Sequence, residues 1–214
     1  MFRVWGRTNS INVQKVMWAV GAAGVEYARI DAGGPFGGLD TEEFGALNPN
    51  RRIPVIDDDG TVVWESHAIV RYVAAKYGTG SLWPEDPGAR ARSDMWMDWA
   101  ATDLQPAVIG VFWNFYRTPE AERNWKLIRQ GVARSAILFQ LLDRHLETSD
   151  FIAGDRLTMG DIPAGAQLFR YFTLEIDRPH LPNVERWYAR LQEQEAYRSH
   201  VMVAFDDLYG RIKF

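Results

Sequence analysis

The chain has 214 residues, enough for one large domain or two modest ones, and a globular composition with 47% hydrophobic and 24% charged residues. The net charge of −4 and the lack of a long basic run argue against a primary role in nucleic-acid binding. The absence of cysteine excludes disulfides, cysteine nucleophiles and thiolate metal sites, and we expect no metal of any kind. No window resembles a signal peptide or an 18-residue apolar span, which predicts a cytoplasmic protein without membrane insertion.

The first thirty residues have the pattern of a strand, a helix and a second strand. Phe2–Trp5 is a short apolar strand, residues 13–23 have the 3.6-residue apolar period of a helix that Gly24 ends, and residues 26–30 form the second strand. This order predicts a β-α-β unit with a right-handed crossover. The glycine-rich residues 32–38 that follow predict a flexible loop near a ligand.

A proline begins the next strand. Residues 54–56 and 61–64 read as a hairpin across an Asp-Gly turn, and Pro54 suits the first position of a strand because it cannot donate to a strand ladder. If the Ile53–Pro54 bond is cis, the backbone of Ile53 faces a ligand instead of a neighbouring strand.

An acidic residue and a hydroxyl residue, Glu65 and Ser66, open the helix predicted for residues 66–77. Ser66 is expected to be the N-cap, and the first turn of such a helix attracts carboxylates. The buried side of this helix is predicted to carry Ile69, Val70, Val73 and Tyr77. By itself, the pair is also explained as a strand end followed by a helix cap.

Gly, Pro and Ser dominate residues 79–88, which predicts a linker between two domains, residues 1–78 and residues 89–214. The second domain shows no alternation typical of strands. Its predicted helices cover residues 89–116, 119–147, 158–172 and 184–194. Thr158 and Asp161 have the spacing of an N-cap with an acidic third residue, and we expect them to serve stability rather than catalysis.

This order of motifs resembles the cytosolic glutathione S-transferase superfamily over nearly the whole chain. The resemblance implies a thioredoxin-like α/β domain that binds glutathione, followed by an all-helical domain that contributes the pocket for the electrophile. It also implies a homodimer. In such a dimer Asp103 could reach the glutathione amino group across the interface, although an ordinary surface carboxylate is the favoured explanation.

The resemblance also assigns roles to residues at the start of the first helix. In serine-type enzymes of the theta, delta and phi classes the catalytic serine aligns with Ser10. Bacterial relatives with a Thr-Pro-Asn segment use threonine and asparagine, which align with Ser10 and Asn12, but here Ile11 replaces the proline. Catalysis is therefore expected from Ser10, with Asn12 assisting or substituting. The alternative is that either residue only caps the helix.

By the same resemblance, Ile53, Pro54, Glu65 and Ser66 are expected to contact glutathione. Arg51 and Arg52 are candidates for its glycyl carboxylate, although arginines on a loop are often only solvated. His67 is expected to pack or to face solvent.

Aromatic residues are candidates for the electrophile pocket. We expect Phe36, Trp113 and Tyr116 there, with Phe205, Tyr209 and Phe214 as further candidates, whereas Trp96 and Trp99 are expected in the core.

The leading hypothesis is a glutathione S-transferase that holds glutathione as a thiolate for attack on a hydrophobic electrophile. One alternative is a glutathione-dependent disulfide reductase or lyase on the same site. Another is a non-catalytic binding or scaffold protein, because a fold does not fix a function.

Overall fold

A computed structural model describes residues 1–213 of the protein. A mixed α/β region comes first in the chain, and an all-helical region follows it. The predicted fold class is therefore confirmed. Phe214, a candidate for the electrophile pocket, lies outside the described residues.

Four strands form the sheet, in the order β2-β1-β3-β4. β2 runs parallel to β1, whereas the pairs β1–β3 and β3–β4 are antiparallel. Trp5 at the end of β1 lies opposite Ile30 on one side and Val55 on the other. The residue that follows Pro54 therefore adjoins the end of the first strand. The strands are β1 (Phe2–Trp5), β2 (Tyr27–Ile30), β3 (Val55–Asp58) and β4 (Thr61–Trp64).

Helix α1 (Ile11–Ala22) is buried on nearly every side, because the sheet region lies on one side of it and the helical region on the other. Trp18 packs edge-on against Tyr197 with ring centroids 4.8 Å apart. A Cβ at Gly165 would come within 2.8 Å of the Trp18 ring, so the glycine permits close contact between the two regions.

Three features of the first region differ from the sequence prediction: an additional helix, the cap of the helix that begins at Ser66 and the exposure of Tyr77. Helix α2 (Glu42–Leu47) was not predicted, and the Thr41 side chain caps it by accepting a hydrogen bond from Phe44 N–H. Helix α3 (Ser66–Tyr77) has the predicted bounds, but the N-cap position belongs to Glu65, so the expectation for Ser66 is wrong. Tyr77 is 36% exposed rather than buried, and its hydroxyl donates to Asp58.

The long helix predicted from residue 89 is interrupted by wide turns. A π-helical turn, Ala100–Leu104, separates the helix that ends at Trp99 from the helix that begins at Gln105. A second π-helical turn, Phe112–Arg117, follows the latter helix. The helices of this region are α4 (Pro87–Trp99), α5 (Gln105–Val111), α6 (Trp125–His145), α7 (Asp161–Thr173), α8 (Pro182–Glu193) and α9 (Glu195–His200). Trp96 is buried as predicted, and Trp99 is partly buried and packs against the core.

Asp161 at the start of α7 supports the fold from the interior. Its carboxylate accepts hydrogen bonds from Ile152 N–H and Thr158 N–H, both at 2.8 Å. Thr158 Oγ1 in turn accepts from Gly160 N–H at 3.2 Å. The N-cap position of α7 belongs to Gly160 and Asp161 is the first helical residue, so the prediction of Thr158 as N-cap with Asp161 three residues later is wrong. Burial raises the pKa of Asp161 to about 6, so the backbone donors only partly offset the loss of solvent.

None of the described helices is both long and apolar enough to cross a membrane.

Candidate functional site

A groove opens where the sheet region meets the helical region. Its wider part has a volume of about 420 Å³ and is lined by Asn12, Glu65, Ser66, His67, Ala68, Arg71, Asp98, Ala101 and Gln105. Its narrower part, of about 70 Å³, is lined by Asn12, Asn48, Arg52, Ile53, Pro54, Glu65 and Ser66. The parts share three residues, and we call them together the groove.

Residues 48–54, which we call the proline segment, form one wall of the groove. The Ile53–Pro54 peptide bond is cis. The buried Asn48 side chain fixes the preceding loop, because its Nδ2 donates to Arg52 O at 2.8 Å and its Oδ1 accepts from Asn50 N–H at 2.9 Å. Within residues 1–213, the N–H of Ile53 makes no hydrogen bond to the backbone, so it is available to a bound molecule.

The start of α3 forms the opposite wall. Glu65 has φ 69° and ψ 118°, a left-handed conformation that costs a non-glycine residue roughly 1–3 kcal/mol. Its carboxylate is exposed in the groove, and the buried Ser66 follows it. Because the first N–H groups of a helix lack intrahelical acceptors, this wall presents an acidic side chain beside amide donors.

Four polar side chains meet at the floor of the groove. Asn12 Oδ1 accepts hydrogen bonds from Lys15 Nζ at 3.2 Å and from Gln105 Nε2 at 3.2 Å. Lys15 Nζ also donates to Gln105 Oε1 and lies 2.9 Å from His67 Nε2. The cluster joins α1, α3 and α5, so both regions of the protein contribute to it.

Burial governs the ionisation of this cluster. Lys15 is completely buried, which lowers its pKa to about 7 despite the attraction of the Glu65 carboxylate. Burial, together with the charges of Lys15 and Arg71, lowers the pKa of His67 to about 3, so the imidazole is neutral at physiological pH. Its Nε2 therefore accepts a hydrogen bond from Lys15.

A second space, which we call the inner cavity, lies on the other side of Asn12. It has a volume of about 150 Å³ and is lined by Arg7, Asn9, Ser10, Ile11, Asn12, Ile109, Phe112, Trp113, Arg117, Arg170 and Leu208. The fully buried Arg170 donates to Asn9 O at 2.6 Å and lies over the Phe112 ring at 4.5 Å. Its pKa is lowered to about 9 by burial and by the neighbouring charges of Arg7 and Arg117.

The two candidates for catalysis have different positions. Ser10 precedes α1, makes no capping hydrogen bond with its side chain, and lines only the inner cavity. Asn12 lines both the groove and the inner cavity. Among the described lining residues of these spaces, Asn12 is the one that the groove and the inner cavity share.

Other predicted site residues are only partly brought together. Arg52 lines the groove with Ile53, Pro54, Glu65 and Ser66. Arg51 instead donates to Leu39 O and Thr41 O at 3.0 and 2.7 Å, which directs its guanidinium towards the loop before α2 and away from the groove.

Of the three aromatic residues predicted for the electrophile pocket, only Trp113 lines the inner cavity. Tyr116 stacks behind Phe112 at 5.3 Å and also contacts Phe205 and Tyr209. Phe36 is 54% exposed and lines neither the groove nor the inner cavity.

Comparison with known proteins identifies the family. A model of the glutathione S-transferase N-terminal domain matches residues 1–75, and one of the C-terminal domain matches residues 104–195. Glutathione S-transferase GstB of Escherichia coli strain K12 is 38% identical over 205 residues, which cover 95% of this chain and 99% of that protein. The chain belongs to the glutathione S-transferase family. The resemblance predicted from the motifs is confirmed.

Solved structures of glutathione S-transferases extend this result. A theta class enzyme from the citrus canker pathogen Xanthomonas axonopodis pv. citri, solved with glutathione bound, is 43% identical with a TM-score of 0.91, covering 95% of this chain and 98% of that one. A delta-class enzyme from Nilaparvata lugens is 26% identical with a TM-score of 0.83, covering 94% of this chain and 92% of that one.

Sequence analysis missed Lys15, Gln105 and the arginines of the inner cavity. Lys15 lies with Gln14 between the apolar residues Val13 and Val16 of α1, which was the available signal, but a lysine on a helix usually faces solvent. His67 packs as expected, with Lys15 as a partner that its position in the sequence did not reveal.

No group of three or more His, Cys, Asp or Glu side chains within residues 1–213 could hold a metal ion. The expectation that the protein needs no metal stays a prediction.

Proposed function

We propose that the protein binds glutathione in the groove, holds its sulfur as a thiolate beside Asn12, and transfers it to an electrophile in the inner cavity. The position of Asn12 between the two spaces carries this proposal. Its amide oxygen is occupied by Lys15 and Gln105, whereas its Nδ2 has no hydrogen-bond partner among residues 1–213 and is available to an anion.

The groove offers complementary partners for each part of the tripeptide. The Glu65 carboxylate suits the ammonium of the γ-glutamyl end, and Ser66 with the first N–H groups of α3 suits its carboxylate. The backbone of Ile53 suits the cysteinyl peptide group. Arg52 is placed for the glycyl carboxylate. Glutathione laid along these groups points its sulfur at Asn12.

Activation of the thiol requires a modest free energy. A thiol of ordinary pKa ~8.5 becomes mostly thiolate at neutral pH if its pKa falls by about two units, or roughly 2.7 kcal/mol. One hydrogen bond to an anion contributes ~1.5–3 kcal/mol. Asn12 Nδ2 supplies one donor, and Ser10 Oγ at the inner cavity is placed to supply another.

The lining of the inner cavity indicates what kind of electrophile fits. Phe112, Trp113 and Ile109 provide apolar surfaces, and guanidinium groups lie among them. We infer an electrophile with an apolar body, a group that accepts hydrogen bonds and a leaving group, such as a halogenated nitroarene. The thiolate attacks the ring carbon, a carbon–sulfur bond forms, and the halide leaves with its electron pair.

We further propose that residues 1–78 are the glutathione-binding domain and residues 89–214 the electrophile domain, joined by residues 79–88. In support, α3 ends at Tyr77 and α4 begins at Pro87. We also propose a homodimer. Asp103, a candidate for contact across its interface, ion-pairs with Arg134 at 2.6 Å within its own chain. The cytoplasmic location stays a prediction.

Calorimetric titration with reduced glutathione, followed by an assay with a chlorodinitrobenzene, tests the proposal. We expect saturable binding and conjugation by the wild type. Glu65→Ala should weaken binding by about tenfold or more, because a hydrogen bond to a charged group is lost. Glu26→Ala, an exposed change outside the groove, is the matched control.

No detectable binding of glutathione to the wild type would overturn the proposal. Binding without conjugation, together with reduction of a glutathione mixed disulfide, would favour the reductase alternative. Binding without either reaction would favour a binding protein.

A further inference from the structure

Lys15 is a buried cation that contacts Asn12, the residue beside which we place the glutathione sulfur. Its side chain is completely buried, and its ammonium contacts only neutral groups: the amide oxygens of Asn12 and Gln105 and the imidazole of His67. Within residues 1–213 no carboxylate forms an ion pair with it. A buried charge of this kind is costly unless an anion compensates for it.

We propose that Lys15 is a positioning residue for the proposed transferase reaction, which orients the Asn12 amide and supplies the buried positive charge that favours the glutathione thiolate. This inference rests on the proposed function, because it assumes that the sulfur lies beside Asn12.

The orientation of Asn12 follows from donor and acceptor chemistry. An ammonium donates hydrogen bonds and accepts none, so the Asn12 atom that faces Lys15 must be the amide oxygen. Gln105 Nε2 donates to the same oxygen. Because its oxygen is held by Lys15 and Gln105, the Asn12 amide keeps Nδ2 out of these hydrogen bonds, and Asn12 lines both the groove and the inner cavity.

The charged groups around Lys15 do not include a carboxylate that is ion-paired with it within residues 1–213, so an anion can lie beside it. From α3, the Glu65 carboxylate attracts Lys15 from the groove wall, and His67 is neutral. Arg71 is engaged by Asp94 at 2.6 Å and by Asp98 at 2.5 Å. From α5 the cluster receives only the uncharged Gln105. A thiolate beside Asn12 therefore adds negative charge next to the one buried cation of this described cluster.

The ionisation of Lys15 agrees with this role. Burial lowers the pKa of Lys15 to about 7, so its charge is easily changed near neutral pH. An adjacent thiolate raises the pKa of a lysine, and the protonated lysine lowers the pKa of the thiol by the same interaction. Thiol ionisation and protonation of Lys15 thus favour each other.

The test measures the pKa of enzyme-bound glutathione from the ultraviolet absorbance of the thiolate, in the wild type and in Lys15→Met. We expect the bound thiol pKa to rise by about one unit or more in the variant. The value of kcat near neutral pH should fall about threefold or more in parallel, because less of the bound thiol is ionised. Affinity for S-methylglutathione, which cannot form a thiolate, should stay within about twofold.

Gln105→Glu provides a second variant of nearly the same shape. It places a carboxylate against Lys15, so the cation becomes paired within the protein, and the bound thiol pKa should again rise. Lys15→Arg, which keeps the charge, should retain a lower thiol pKa than Lys15→Met. Lys126→Met, on the exposed face of α6, is the control for loss of a lysine.

An unchanged thiol pKa in Gln105→Glu and in any folded Lys15→Met would overturn the inference. So would an equal loss of affinity for glutathione and S-methylglutathione, because Lys15 would then only support the groove. Failure of the wild type to bind glutathione would instead refute the proposed function, so the two failures are distinguishable.

Discussion

The groove and the inner cavity are built in different ways. The narrow part of the groove uses only residues 12–66, from neighbouring ends of α1, α3 and the proline segment. The inner cavity uses segments as far apart as Arg7, Trp113, Arg170 and Leu208. Its polar groups are guanidinium ions among aromatic rings, whereas the groove combines a carboxylate, hydroxyl and amide groups, and backbone.

This difference separates two tasks. A surface made by one compact region can keep its shape when the rest of the chain changes, which suits a constant ligand such as glutathione. A cavity made by distant segments changes when any of them changes, which suits variation in the electrophile. Asn12 belongs to both spaces, so its replacement should affect both tasks.

The largest effect is expected for Asn12→Ala. It removes a hydrogen-bond donor to the developing anion and should lower kcat/KM by about 100-fold with every electrophile. Ser10→Ala, which changes only the lining of the inner cavity, should cost less, about tenfold. Steady-state kinetics with two unrelated electrophiles check this order, and Asn114→Ala serves as a control outside both spaces. A larger loss for Ser10→Ala would move the main donor to the inner cavity.

The buried charge beneath the groove should appear in the pH dependence of stability. The pKa of Lys15 falls from its ordinary 10.5 to about 7, so between these values the folded protein binds fewer protons than the unfolded chain. Stability therefore rises with pH across this window. Relative to Lys15→Met, the wild type should gain about 2 kcal/mol in the free energy of unfolding over two pH units above neutrality. Urea unfolding at several pH values measures the difference. Parallel curves for both proteins would show that Lys15 has an ordinary pKa.

Trp113→Ala tests whether the two spaces act independently. It removes an aromatic wall of the inner cavity and should raise KM for an aromatic electrophile about tenfold. Because Trp113 does not line the groove, the dissociation constant of glutathione should change less than about twofold. Calorimetry and steady-state kinetics give the two values. Equal losses in both would contradict independence.

The smallest effect compares two adjacent arginines. Arg52→Ala should weaken glutathione binding by about threefold, because an exposed ion pair contributes only ~0.2–1 kcal/mol. Arg51→Ala should leave glutathione affinity unchanged, since its guanidinium binds the loop before α2. Calorimetry under matched salt distinguishes them. A greater loss of affinity in Arg51→Ala would show that the loop before α2 controls the groove.

Short-range patterns predicted most of the fold. The period of α1, the proline at the head of β3 and the Asp-Gly turn each involve residues within a few positions of one another. Where a prediction failed, a local alternative competed with it. Ser66 is a good N-cap by residue type, but the left-handed backbone of Glu65 moves the cap position one residue earlier.

The groove was predictable to the extent that its residues are close in sequence. Pro54, Glu65 and Ser66 lie within thirteen positions, and the structure brings them together with Asn12. Arg51 and Arg52 show the limit. The Arg51 guanidinium contacts the loop before α2, whereas Arg52 lines the groove. The two side chains diverge because the backbone at Arg51 has φ 51°.

The sequence by itself determined the class of fold, the order of the strands and the polar wall of the groove, since all three depend on local backbone preferences and apolar periodicity. Only the tertiary structure decided that Lys15 is buried, that Gln105 reaches Asn12, and that Arg170 lies beside Arg7 and Arg117. Packing α1 against both regions removes the solvent-exposed face on which a lysine normally lies. The chemical environment of the proposed sulfur position therefore depends on contacts between residues ninety or more positions apart.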